Sequence, residues 1–480
     1  MAIAEIRTLD DLIGFLMADF RSCDLKYCDL IGRWHHVTVP VSDRGMELLR
    51  SGIGFDGSSV PGFTRLARGD MLLQPDPSTA FIDPFFEEPT LSVICDCVLC
   101  DTREPFERDP RHIARKAEKY LAGFGVADES SWLPELEFNL VSAVSFYDEC
   151  FGSGYTMRAM ESRSVLSSLG EEGVDLGIGP KDGYHVAPPL DQLLDVRMRM
   201  VRAMEDAGIG VKYHHHEVGA DGQVEIECLH DGLQRTADNI SLGKYLIRNI
   251  AREAGAVAVF LPKPFFGEAG NGMHFHQFLK KDGKAIFYKE GNYANLSDEA
   301  LYYIGGILRH GRSLLAFANP STNSYRRLVP GYEAPTNLFF SSGNRSAAIR
   351  IPLYADTPET KCIEFRPGDA TANPYLAMAA MLMAGLDGIK NKIDPSKEGF
   401  GPFDTDVTEM PAEELAKITP VPKDLEEALQ ALKDDHSYLL SGGVFPSDAI
   451  DVWVDYKLEN DVKAIGRRTH PYEIALYLDL

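Results

Sequence analysis

The sequence predicts an α+β protein, with a small N-terminal domain that is mostly sheet and a larger domain that mixes helices with strands carrying charge on one face. Three observations carry this. Short strand-like runs crowd the first part of the chain, the polar stretch Asp101 to Asp109 (DTREPFERD) interrupts them, and beyond it period-two strands alternate with segments of helical period. A chain of 480 residues can hold at least two domains. The boundary is expected between residues 105 and 106, giving domains 1–105 and 106–480.

In the first domain, Leu9 to Phe20 spaces its apolar residues as a short amphipathic helix. Leu25 to Ile31 and Trp34 to Val41 read as strands broken by Gly32-Arg33, and Leu91 to Leu99 as another. Gly52 to Phe63 (GIGFDGSSVPGF) reads as a loop, because it is too rich in glycine and serine for a core element. Its Asp56-Gly57-Ser58-Ser59 has the residue types of a turn. Cys95, Cys97 and Cys100 lie in an alternating strand with no fourth ligand nearby, so they read as structural and not as a zinc site.

In the second domain, Pro110 opens a helix capped by Asp109, with Ile113, Ala117, Tyr120 and Leu121 on its apolar face. Trp132 to Leu140 (WLPELEFNL) is a strand that sets Leu133, Glu135, Glu137 and Asn139 on one face and Leu136, Phe138 and Leu140 on the other. Two carboxylates so close repel unless a cation joins them. Residues 149–182 read as loop and short helix, and Leu193 to Ala207 as a helix stopped by Gly208. Lys212 to Glu227 (KYHHHEVGADGQVEIE) reads as a hairpin turning at Ala220-Asp221-Gly222, with Glu217 on the outgoing strand and Gln223, Glu225 and Glu227 on one face of the return.

Leu261 to Phe278 (LPKPFFGEAGNGMHFHQF) is a glycine and proline loop running into a strand. There His274 and His276 point one way, and Met273 and Phe275 face the core. Helices follow from Asp298 to Ala318 and from Pro374 to Asn391, the second capped by Asn373. Between them three segments deliver Arg327, Arg345 with Arg350, and Arg366. Ala412 to Asp434 reads as surface helix.

The formal net charge of -24 argues against nucleic acid or an anionic membrane as partner. The longest apolar run, Tyr375 to Leu386, is about half of the roughly 20 residues a membrane span needs. With no secretory signal in the first residues, a cytoplasmic protein is expected. Many carboxylates with one or two imidazoles suit magnesium or manganese better than zinc, and converging arginines suit phosphate or carboxylate. The residues alone therefore point to metal-assisted phosphoryl transfer on an open choice of substrate, without a P-loop.

At the motifs DGSS (56 to 59), ELEF (135 to 138), HHEVGADGQVEIE (215 to 227), PKPFFGEAGNGMHFH (262 to 276), NSYRRLVPGYEAP (323 to 335), NRSAAIRIP (344 to 352) and IEFRPGDATANPYLAMAAMLMAGLDGIKNKI (363 to 393), the chain resembles the bacterial type I glutamine synthetases. The likeness runs from about residue 10 to Pro471-Tyr472-Glu473. It implies a β-grasp N-terminal domain, a larger catalytic α/β domain built on an antiparallel sheet, and a dodecamer of stacked rings whose active sites form between neighbours. Asp56 and Ser59 would then serve the adjacent subunit's site.

The resemblance also implies roles. Glu137, Glu217 and Glu225 would hold one divalent ion, Mg2+ or Mn2+, and Glu135, His274 and Glu364 a second. His276 would contact the ATP phosphates, Arg345, Arg350 and Arg366 would stabilise the transferring γ-phosphoryl group, and Arg327 and the Gly270 backbone would hold glutamate. The reaction implied is ATP-dependent formation of γ-glutamyl phosphate, then attack by ammonia to give glutamine. Ammonium capture and deprotonation would fall to Asp56, Tyr184, Glu217 and Glu333, the last in a flap, Val329 to Glu333.

Three departures stand out from the family pattern: Ala269 where an asparagine side chain helps hold glutamate, Phe278 where a serine is common, and Thr408 where adenylylated members carry tyrosine. The last predicts no control by adenylylation. A γ-glutamyl amine or polyamine ligase is the alternative within the ligases, disfavoured by intact Asp56 and Ser59. A silent regulatory paralogue is disfavoured by six intact metal ligands.

Overall fold

The computed structural model describes residues 5–64, 69–161, 177–332, 334–405, 407 and 410–480. The N-terminal part is a mixed sheet. Its strands are β1 (Ser22–Cys28), β2 (Trp34–Pro40), β3 (Ile53–Asp56), β4 (Asp70–Pro75), β5 (Phe81–Asp83) and β6 (Thr90–Leu99), in the order β2-β1-β6-β4-β3 with β5 on β6. β1 and β6 run parallel and the other pairs antiparallel. A helix at Leu9–Asp19, closed by a Thr8/Asp11 capping box, buries Leu12, Ile13 and Leu16.

Two readings of this part need correction. Gly52 to Phe63 is not simply a loop, because its first residues form β3 beside β4, Ile53 opposite Leu73, and Val60 and Phe63 are buried. The helix Asp43–Ser51 is an element that the sequence reading passed over. Cys95 and Cys97 are buried thiols inside β6 and Cys100 is exposed, all of them free.

The second part is built on ten strands. β7 (Glu129–Glu149), β8 (Gly152–Ala159), β9 (Val211–His216), β10 (Gln223–Cys228), β11 (Val257–Val259), β12 (Phe275–Lys281), β13 (Lys284–Ala285), β14 (Phe340–Ser342), β15 (Ile349–Ile351) and β16 (Ile363–Phe365) pair in the order β14-β15-β16-β12-β7-β10-β9, with β8, β11 and β13 beside this path. All pairs are antiparallel except β14 with β15. One sheet face is apolar: Leu136, Phe138, Val224, Ile226 and Phe275 are buried against the helices Pro110–Phe124, Leu233–Glu253 and Pro374–Asn391.

The helix Pro374–Asn391 is apolar all round because it is enclosed on all sides, which accounts for its long apolar run. No helix among the described residues is long and apolar enough to cross a membrane. Three further expectations are revised. Within 149–182, residues 152–159 form strand β8, and 162–176 lie outside the described residues. The helix expected over 298–318 is two helices, Asp298–Arg309 and Gly311–Ala318, parted at His310, where ψ is 4°. Ala412 to Asp434 is not one surface helix: Leu425–Asp434 buries Leu425, Ala428, Leu429 and Leu432.

Candidate active site

The polar face of the second sheet follows from strand register. Directly opposed residues share a face, and Glu225 lies opposite Glu137, Glu227 opposite Glu135, His215 opposite Glu225, His276 opposite Glu364, and Arg350 opposite Glu364. Six strands thus align their charged residues in one patch. Glu217 sits just past the end of β9 and not on it, and its backbone N–H donates to Gln223 O.

The centre is Glu135. Its Oε2 lies 2.6 Å from His274 Nδ1 and its Oε1 2.9 Å from His276 Nε2. Burial works against its ionisation, but the hydrogen bonds from the two imidazoles outweigh burial and hold the carboxyl well below its ordinary value. Glu364 is likewise buried, yet the positive Arg366 and then His276 bring it down to about 2. Arg350 Nη1 reaches Glu364 Oε2 at 2.5 Å, and Arg366 Nη1 donates to Glu364 Oε1.

Across the patch the balance reverses. Burial and the neighbouring Glu137 raise Glu217 to about 7, and burial with Glu135 and Glu137 raises Glu225 well above its ordinary value. Burial and like-charged neighbours thus push both carboxyls toward the neutral form, the condition a divalent cation relieves. Four sets of possible ligands have atoms within 4.8 Å of one another: Glu135-Glu137-His274, Glu135-His276-Glu364, His215-Glu217-Glu225 and Glu135-Glu225-Glu227. They contain all six residues implied as ligands but group them differently. A donor set this rich in carboxylate oxygen fits magnesium or manganese.

Two cavities open on the patch. The smaller, 620 Å³, is walled by Glu135, Glu137, Glu217, Glu225, His274 and Glu364, with Tyr184, Ala269, Gly270, Arg327, Arg345, Arg350 and Arg366 also facing it. Arg327 is buried, donating from Nη1 to Pro367 O at 2.8 Å, with Nη2 3.2 Å from His274 Nε2. Gly272 makes this closeness possible: its N–H donates to Glu137 Oε2 at 2.7 Å, and a Cβ there would lie 2.6 Å from His274 Nε2. Beside Gly270, Lys181 and Lys263 hold the Tyr332 ring between their ammonium groups, 4.4 and 3.5 Å from its centroid.

The larger cavity, 1430 Å³, includes Lys212, His230, His276, Phe278 and Cys362, and Tyr354 belongs to both walls. Phe278 meets His230 edge to face at 5.1 Å. Asp56 and Ser59 line neither cavity; both are exposed on the N-terminal domain, where the Ser59 hydroxyl donates to Asp56 Oδ2 at 2.7 Å. Glu333 and Thr408 lie outside the described residues.

Sequence reasoning missed His215 and gave no role to Glu227. His215 Nδ1 is 3.8 Å from Glu217 and its Nε2 3.8 Å from Glu225. Glu227 is fully buried, with one oxygen held by Lys212 at 2.7 Å and the other without a hydrogen bond. The alternation in Tyr213-His214-His215 that puts residues 213 and 215 on the acidic face was the available signal.

The glutamine synthetase β-grasp domain model matches residues 19–100, and the glutamine synthetase catalytic domain model matches residues 107–477. A glutamine synthetase of Frankia alni is 48% identical over 474 residues, 98% of this chain and 99% of its own. One from Mycolicibacterium smegmatis is 44% identical over 479 residues, 99% of each. Among solved structures, a Plasmodium falciparum glutamine synthetase superposes with a TM-score of 0.87 at 28% identity, covering 98% of both chains.

Proposed function

The chain belongs to the glutamine synthetase family, and from that premise we propose how its residues carry out ATP-dependent ligation of ammonia to glutamate. Family membership makes the protein an ATP-dependent ligase that uses divalent metals. The observation that carries the residue-level reading is the shared polar face of β15, β16, β12, β7, β10 and β9, where carboxylates, imidazoles and arginines meet between two cavities.

A carboxylate is no electrophile for ammonia, so its oxygen must first become a leaving group. The γ-carboxylate of glutamate takes the γ-phosphoryl group of ATP, ADP departs, and ammonia then attacks the acyl phosphate carbon to release phosphate and leave the amide. In our reading the nucleotide occupies the larger cavity, with its phosphates toward His276 and the acidic patch, and glutamate the smaller. Arg327 and the Gly270 backbone orient the amino acid end. Arg345, Arg350 and Arg366 present donors to the oxygens that gain charge as the phosphoryl group moves.

Glu135, Glu137, Glu217, Glu225, His274 and Glu364 would hold the divalent ions, which we assign as magnesium or manganese. Bound there, such ions neutralise phosphate charge and orient the transferring group. Tyr184, Glu217 and the neighbouring subunit's Asp56 loop, Ser59 included, capture ammonium, and Glu333 with the Tyr332 flap takes its proton and excludes water. The domain boundary at 105/106 follows from the polar stretch between the two matched regions.

We also infer a cytoplasmic homo-oligomer, a dodecamer whose sites form between subunits. What supports it is unburied apolar surface on projecting elements: Phe146, Tyr155 and Phe151 on the β7–β8 ribbon are 80%, 62% and 87% exposed, and Leu478 and Leu480 at the C-terminus 80% and 96%. The acyl phosphate route is tested with glutamate labelled by oxygen-18 in its γ-carboxylate. One labelled oxygen is expected in the phosphate for each glutamine made, and unlabelled phosphate would exclude the intermediate.

A further inference from the structure

A basic pocket lies where the two domains meet, and it shares no wall residue with either active-site cavity. Its 350 Å³ are bounded by Arg33 of the β1–β2 turn and Trp34 at the start of β2, by Lys244, Tyr245 and Arg248 of the helix Leu233–Glu253, and by Pro374, which opens the helix Pro374–Asn391. Positions 244, 245 and 248 fall on one helical face by their spacing.

The turn is fixed against the second helix. Asn373 Nδ2 donates to Asp29 O at 3.2 Å and to Leu30 O at 3.1 Å, and Gly32, at φ +92°, comes so close that a Cβ would stand 3.1 Å from the Asn373 Cα. The Trp34 and Tyr245 rings, 5.9 Å apart, form an aromatic wall, with the Tyr245 hydroxyl bonded away from it to Asp83 Oδ2 at 3.0 Å.

Three cations border this pocket and no carboxylate does. Among the described residues, the guanidinium groups of Arg33 and Arg248 have neither an ion-pair partner nor a hydrogen bond. Lys244 is 8% exposed and its ammonium group has one acceptor, Ala370 O, and no counter-ion. Burial, reinforced by Arg248, depresses it to about 7. The positive end of the helix Pro374–Asn391 adds to the same potential.

We propose that this pocket binds a small multivalent anion, a di- or tricarboxylate or a phosphate ester, which bridges the N-terminal and catalytic domains. Arginine forks match both oxyanion geometries, and two guanidinium groups without counter-ions beside the Lys244 amine call for more than one negative charge. The volume is at the small end for ligand pockets, which suits a metabolite of a few carbons. Its ligand touches both domains, so it acts on the orientation of the domain that carries Asp56.

The test uses the full chain without divalent ions, at constant ionic strength, with citrate and inorganic phosphate as probes and chloride as control. Binding is read by tryptophan fluorescence, since Trp34 forms the wall, and independently by the rise in melting temperature that ligand binding gives. A saturable response to at least one probe is expected, weakened about tenfold by Arg248→Gln and further by adding Arg33→Gln. Arg345→Ala, which alters the active-site cavity, is expected to leave it unchanged. No saturable response to either probe, or one that survives the Arg33→Gln/Arg248→Gln pair, overturns the proposal. Loss of the response in Arg345→Ala with retention in Arg248→Gln would place binding in the active site and overturns it equally.

Discussion

Glu135 shows how one residue's environment decides its role. Two imidazoles keep it ionised, while Glu217 and Glu225, buried beside other carboxylates, are driven toward the neutral form. Glu135 and Glu137 were legible in the sequence because period-two alternation needs only one strand. His215 and Glu227 were not, because their place depends on which strands pair and in what register. Two substitutions test the residue roles. Arg366→Ala is expected to lower kcat about 10² to 10³-fold, the usual loss when one donor to a charge-developing oxygen is removed, and an unchanged kcat would take Arg366 out of the reaction. Ala269→Asn, which restores the amide of the family pattern beside Gly270, is expected to lower the KM for glutamate by up to about tenfold, with kcat little changed. Steady-state kinetics at varied glutamate decide both.

At the scale of elements, side-chain partners from distant segments override local pattern. The apolar period runs on through His310, but the backbone breaks there and its imidazole is held by Asp435 at 2.8 Å and Asp387 at 3.0 Å, stacked on Tyr438 at 4.1 Å. Burial disfavours the charged ring, but the two carboxylates outweigh burial and raise His310 above its ordinary value. A raised histidine stabilises fully below the unfolded value of about 6.5, and that contribution is lost as pH rises through the folded one. His310→Gln should therefore lower the melting temperature more at about pH 6 than at about pH 9, and an equal loss at both would remove His310 from the pH dependence. The same reasoning applies to Arg111, buried among Asp76, Asp96 and Asp238 where the first helix of the catalytic part meets the N-terminal sheet. Arg111→Ala leaves Asp76 and Asp238 without their cation, Asp96 keeping Arg115, and is expected to cost about 3–5 kcal/mol in a denaturant titration. The surface helix expected over 412–434 failed for a related reason: polar residues at its start concealed a second half that fills a core.

For the whole molecule, the order of motifs and the break at Asp101 to Asp109 made two domains and their fold class readable, since both follow from local composition. Assembly was not readable in that way, because a single chain shows only the surfaces left unburied. Removing residues 469–480, with their exposed Tyr472, Leu478 and Leu480, is expected to give smaller assemblies by light scattering, and an unchanged mass would show that this segment holds no subunits together. Ligation of ammonia to glutamate at the acidic face is the reaction proposed for the molecule as a whole. Its most direct measurement is ATP-dependent phosphate release with glutamate and either magnesium or manganese, comparing ammonium with a panel of primary amines and polyamines. Release driven by ammonium, matched one for one by glutamine, is expected. Release that requires a larger amine, with none from ammonium, would contradict it.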